Sequence, residues 1–106
     1  MLHLADLHDA VLDSVAIEVE AATVRFVLMP VQREKAAERV TLIAREWKAL
    51  LCPRREPWGH TRTWYLNEAR ASVLESGVHL ELEMQSGDVI EIDAASVERV
   101  DGARQG

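Results

Sequence analysis

Three stretches of the chain carry side chains able to do chemistry. The first is HLADLHD, with His3, Asp6, His8 and Asp9. Imidazole and carboxylate both bind zinc, but a zinc site gathers three or four such groups, usually at helical i, i+4 spacing or paired across a hairpin. His3 and His8 are five residues apart, which fits neither pattern. The expectation is a solvated N-terminal turn in which Asp6 or Asp9 caps a short helix. The second stretch is LLCPRRE, where Cys52 precedes Pro53, Arg54 and Arg55. Neighbouring guanidinium groups lower a thiol pKa, and a thiolate is a nucleophile. Catalysis would also need a positioned base, and no signature supplies one. A buried, inert cysteine is expected. The third stretch is RREPWGHTRTWY, in which Arg54, Arg55, Trp58, His60, Arg62, Trp64 and Tyr65 lie close together. Aromatic and arginine residues anchor interfaces because they offer large contact area and directed hydrogen bonds. These seven are the candidate binding residues. No catalytic residue, metal ligand or cofactor is assigned.

Composition narrows the function classes. The 106 residues are 48% hydrophobic and 28% charged, the profile of one globular domain. A single cysteine rules out an intrachain disulfide and fits a reducing compartment. The first residues are acidic, unlike a secretory signal, and no apolar run approaches the length of a membrane span. A cytoplasmic protein of bacterial type is expected.

The net charge is −6 and unevenly spread. Residues 33–62 hold eight of the twelve basic residues and only four acidic ones, a local +4, leaving −10 for the rest. An acidic protein is a poor general binder of phosphate backbones, so nucleic acid is disfavoured as a partner. A mixed surface in which the cationic middle lies beside acidic strands is favoured over a bipolar one.

Positioning these residues falls to strands. SVAIEVE and TVRFVLM alternate with period two, which predicts a hairpin with Val15, Ile17 and Val19 facing Leu28, Phe26 and Val24 respectively. Residues 20–23 are then a four-residue loop. VHLELEM and DVIEIDA predict a second hairpin. A three-residue loop, Gln85-Ser86-Gly87, sets Leu82 opposite Ile90 and Leu80 opposite Ile92, with Gly87 in the left-handed region. The same register sets Glu81 opposite Glu91 and His79 opposite Asp93 on the other face. Facing carboxylates repel, and a solvent cation, an arginine from the middle segment or a basic partner is a candidate compensator, but the favoured reading is a solvated face that keeps an edge from aggregating. Paired carboxylates can also do acid–base work, but only in a pocket.

The middle reads two ways. Ala36, Val40, Ile43, Trp47 and Leu50 form a helical stripe that helix propensity favours, whereas two strands are the alternative, with Val40, Leu42 and Ala44 inward in the first. The β-rich surroundings favour a strand over 38–45. Residues 62–74 predict a further strand region, and SVERV a last short strand. Together these predict an all-β or β-rich α+β fold, with at most one short helix. Six to eight antiparallel strands form a sandwich or a partly open barrel. The domain covers residues 1–101, and 102–106 are a frayed tail.

LHDAVLDSVAIEVEAATVRFVL, EPWGHTRTWYL and LELEMQSGDVIEIDAASV together resemble small uncharacterised bacterial domains with a Leu-His-Asp start, a Pro-Trp-Gly turn and a Gln-Ser-Gly-Asp hairpin. A more distant likeness is to bacterial immunity-protein families. The resemblance implies a β-rich fold and marks Leu7, His8, Asp9, Pro57, Trp58, Gly59, Gln85, Ser86, Gly87 and Asp88 as motif positions. The expected function is a non-enzymatic protein-interaction domain, immunity-like, that binds another bacterial protein. An acidic partner suits the cationic segment, and a homodimer is also compatible. One alternative is a small-molecule or nucleotide binding module using the Trp58–Tyr65 surface. Another is a small enzyme with a carboxylate–histidine acid–base pair.

Overall fold

A computed structural model describes residues 2–30, 38–53 and 64–102, with only the backbone of Trp64. A 3-10 turn over Ala5–Leu7 precedes six strands: β1 (Val11–Glu18), β2 (Thr23–Met29), β3 (Val40–Leu51), β4 (Trp64–Leu74), β5 (Gly77–Met84) and β6 (Val89–Asp101). All pairings are antiparallel, and the order β1-β2-β3-β6-β5-β4 closes into a barrel. The closing seam is short: among the described residues it consists of Val11 opposite Tyr65 and Leu12 opposite Trp64.

The barrel is filled by its own side chains. Phe26, Leu28, Leu42, Leu66, Leu80 and Leu82 are fully buried, and Met84, Ile90 and Ile92 are 1% exposed. Each such side chain contributes about 1.5–3 kcal/mol through removal from water. Leu4, Leu7 and Ala10 of the N-terminal segment join the same cluster, so the 3-10 turn plugs this core.

The second hairpin has the expected register: Leu82 faces Ile90, Leu80 faces Ile92, and Gly87 has φ 99°. The Gly87 N–H donates to the Met84 carbonyl (2.9 Å) and the Met84 N–H to the Asp88 carbonyl (2.8 Å), which closes the three-residue loop. The first hairpin differs from expectation. Val15 faces Phe26 and Ile17 faces Val24, so the loop is 19–22 rather than 20–23. Ala22, at φ 55°, turns the chain and donates to the Val19 carbonyl. The slip is two residues, and alternation cannot detect it because a shift of two returns every side chain to the same face. Its consequence is that Val19 sits in the loop, 79% exposed, and Ile17 is 50% exposed; neither is core.

β3 is one continuous strand, which resolves the ambiguous middle. Its helix-like spacing has a physical origin. Val40, Leu42 and Ala44 face the core, and then Trp47 and Leu50 do, at intervals of three rather than two. Glu46 has φ 53°, and the β3–β6 register shifts between Trp47 and Ala49. Each irregularity adds a residue without adding an inward position. β6 changes phase at the same crease, from Ala94 to Val97. SVERV is therefore the continuation of β6, not a separate strand. β4 and β5 are divided at Glu75-Ser76, a turn that the sequence did not mark clearly.

Candidate functional site

The organised polar surface is the outer face of β4, β5 and β6. Alternation along β5 turns Leu80, Leu82 and Met84 inward, so His79, Glu81 and Glu83 point out. β6 places Asp93 and Glu91 opposite His79 and Glu81, and β4 places Arg70 opposite Glu81 from the other side. The like-charge pair expected from sequence is present, and Arg70 and His79 are its compensators.

Arg70 holds three carboxylates. Its Nε donates to Glu81 Oε1 (3.0 Å), and its Nη1 donates to Glu83 Oε1 (2.9 Å) and Glu68 Oε1 (3.1 Å). Asn67 Nδ2 donates to the other Glu83 oxygen at 3.2 Å. The Arg70 hydrogen bonds hold the carboxyls of Glu81 and Glu83 below their ordinary range, and those carboxylates raise the guanidinium pKa in turn. Asn67 sits at a register shift between Leu66 and Glu68; its extra residue lets Leu66, Ala69 and Ala71 face the core while Glu68 and Arg70 face out.

His79 lies between the remaining acids. Its Nδ1 is 2.6 Å from Asp93 Oδ1, and a carboxylate there only accepts, so Nδ1 carries the proton. Its Nε2 is 3.4 Å from Glu81 Oε2 and 3.3 Å from Glu91 Oε1. The Asp93 hydrogen bond chiefly, with Glu81 adding, raises the imidazole pKa against the opposing effect of desolvation. A hollow lined by Ala49, Leu50, Leu51, His79, Glu91 and Asp93 opens beside the ring, where the end of β3 runs along β6.

The N-terminal histidines and aspartates do not converge. Asp6 makes a two-oxygen pair with Arg99 (2.7 and 2.8 Å), and Arg99 also binds Asp101 and the His3 carbonyl. All five guanidinium donors are thereby used, and the Asp6 carboxyl is held below its ordinary value. His8 Nδ1 meets the Asn67 carbonyl at 2.5 Å, while Asp9 accepts from Gln85. No side-chain hydrogen bond caps the 3-10 turn, so the expected capping role of Asp6 or Asp9 is replaced by these tertiary contacts. Asp9 of the Leu-His-Asp stretch thus meets Gln85 of the Gln-Ser-Gly-Asp stretch.

Other expectations need correction or fall elsewhere. Cys52 is exposed just past β3, not buried, and partial desolvation pushes its thiol pKa up. Of the seven candidate binding residues, Arg54, Arg55, Trp58, His60 and Arg62 lie outside the described residues, as do Pro57 and Gly59. Trp64 starts β4 at the barrel seam, and Tyr65 is 44% exposed. Sequence reasoning placed His79, Glu81, Glu91 and Asp93 on one face but missed Arg70, because the β4–β5 register had no turn signal to set it. Among the described residues, no helix is long and apolar enough to cross a membrane. No family model, curated protein or solved structure matches the chain.

Proposed function

We propose that the protein is a non-enzymatic interaction domain that binds another protein through its exterior, in the manner of an immunity protein. The observation that carries this reading is the packed interior: among the described residues, the side chains of the barrel strands fill the core with one apolar cluster in place of a lumen for a small ligand. Recognition then belongs to surface side chains. The segment Arg54–Tyr65 supplies the residue types that anchor interfaces, and its net positive charge suits an acidic partner. The acidic outer face of β5 and β6 is already neutralised in part by Arg70 and His79, so it contributes less to steering.

The test is a partner captured with tagged protein in the source organism and then purified. Association of the wild type with that partner should slow as salt rises, and Arg54→Ala with Arg62→Ala should weaken the partner about tenfold or more while leaving the thermal midpoint within about 2 °C. A double variant that loses stability yet keeps the partner overturns the assignment. A partner whose association is indifferent to salt overturns the charge argument.

A further inference from the structure

We propose that His79, Glu81 and Glu91 form a binding site for a zinc-class divalent cation on the outer face of β5 and β6. Three observations converge on it.

The first is spacing. Two donors each about 2.0–2.2 Å from a tetrahedral ion stand about 3.3–3.5 Å apart. The His79 Nε2 distances to Glu81 Oε2 and Glu91 Oε1, 3.4 and 3.3 Å, have this value. They are longer than the roughly 2.7–2.9 Å of a charge-assisted hydrogen bond. By contrast, the Nδ1 contact with Asp93 is short, at 2.6 Å. The three donor atoms all lie within 4.8 Å of one another, and the broad terminal torsion of glutamate closes the remaining gap.

The second is the support behind the donors. A metal-bound histidine characteristically gives its other ring N–H to a carboxylate, which sets the tautomer and aims the free lone pair at the ion. Asp93 takes that position on Nδ1. The ligating carboxylates of such sites are themselves hydrogen-bonded. Glu81 presents Oε2 to His79 while its Oε1 accepts from Arg70 at 3.0 Å. Each oxygen of Glu81 thus has a separate task.

The third is rigidity and access. The donors stand on two paired strands, with His79 and Glu81 two residues apart on β5 and Glu91 directly across on β6. Beneath them are the fully packed Leu80 and Leu82. The side chains are partly exposed, and the hollow beside Leu50 and Leu51 opens next to His79 and Glu91. One imidazole with two carboxylates favours zinc, cobalt or nickel over magnesium and calcium, which take oxygen donors.

The test is titration of the metal-free full chain with Co(II), followed by visible absorption, and with Zn(II), followed by calorimetry. The wild type should take up one ion per chain with an intense tetrahedral cobalt spectrum, and excess magnesium should not displace it. His79→Gln and Glu91→Gln should each weaken binding about tenfold or more. Asp93→Asn should weaken it about 10–100-fold while leaving the ligand set in place. Far-UV circular dichroism checks the fold of each variant, and Glu91→Gln serves where His79→Gln does not fold. A folded wild type that binds no stoichiometric ion overturns the site. So does unchanged affinity in Glu91→Gln, or binding that is lost instead in the His3→Gln, His8→Gln pair.

Discussion

Gln85 donates a 2.7 Å hydrogen bond from Nε2 to the Asp9 carboxylate, joining the loop after β5 to the turn before β1. Backbone bonds run alongside: the Asp9 N–H donates to the Leu66 carbonyl, and the Gln85 N–H donates to the Tyr65 carbonyl. The start of the chain is thereby stitched to β4 and to the last hairpin at one end of the barrel. Asp9 has φ 67°, a conformation these contacts hold in place. Gln85→Ala should cost about 1 kcal/mol in urea denaturation, the worth of a hydrogen bond to a partly exposed charged acceptor. Asp9→Gly, which relieves the backbone strain while losing the same bond, should cost less than Asp9→Ala. Equal losses in the two Asp9 variants would show that the backbone conformation is irrelevant.

Two glycines separate torsional need from steric need. Gly87 has φ 99° with nothing within 4 Å of an added Cβ, so Gly87→Ala should cost about 1 kcal/mol through torsion alone. Gly77 has φ 144°, and a Cβ there would lie 2.2 Å from the Ala94 carbonyl oxygen. Gly77→Ala must open the β5–β6 ladder and should cost at least about 2 kcal/mol. Thermal midpoints in the reverse order would contradict the close approach.

The first hairpin offers a test of register. Phe26 is fully buried, and Phe26→Ala should cost about 3–5 kcal/mol. Val19→Ala should be close to neutral, within about 0.5 kcal/mol, because Val19 is 79% exposed in the loop. In the slipped register Val19 would face Val24 within the sheet, and its truncation would be costly.

Acid stability should report Asp6. Its carboxyl is held below the ordinary 3.8 by the Arg99 hydrogen bonds, so the folded state binds the proton more weakly than the unfolded chain. The resulting stabilisation is complete above the unfolded value and is lost as pH falls through the depressed folded one. The stability difference between wild type and Asp6→Asn should therefore be constant from neutral pH to about pH 5 and shrink below that. A difference that stays constant down to pH 2 would dissociate the pair from stability.

Arg70 concentrates the charge balance of the outer face, with Glu68, Glu81 and Glu83 all within 3.1 Å. Arg70→Gln leaves three acids facing one another and should lower the thermal midpoint at low salt. Added sodium chloride should recover part of the loss by screening. A deficit independent of salt would point to lost packing of the arginine stem instead.

Local pattern alone determined the β class, the inward faces of β2, β5 and the first half of β6, and the whole second hairpin. Val78 to Met84 and Ile90 to Ala94 alternate strictly, and Gly87 can adopt the backbone that their match demands. The pairing of Glu81 with Glu91 followed from the same register. What tertiary structure decided begins where alternation loses information. A slip of two residues preserves every face, so the loop conformation around Ala22, not the pattern, set the first hairpin. The crease at Glu46 gave β3 a helix-like spacing that only its pairing with β6 explains. Arg70 reached Glu81 because β4 folded back at Glu75-Ser76, and Asp6 found Arg99 from the far end of the chain. The Asp6–Arg99 pair joins segments 93 residues apart. Its partners are brought together by closure of the barrel around one packed core, and no short window of sequence contains that constraint.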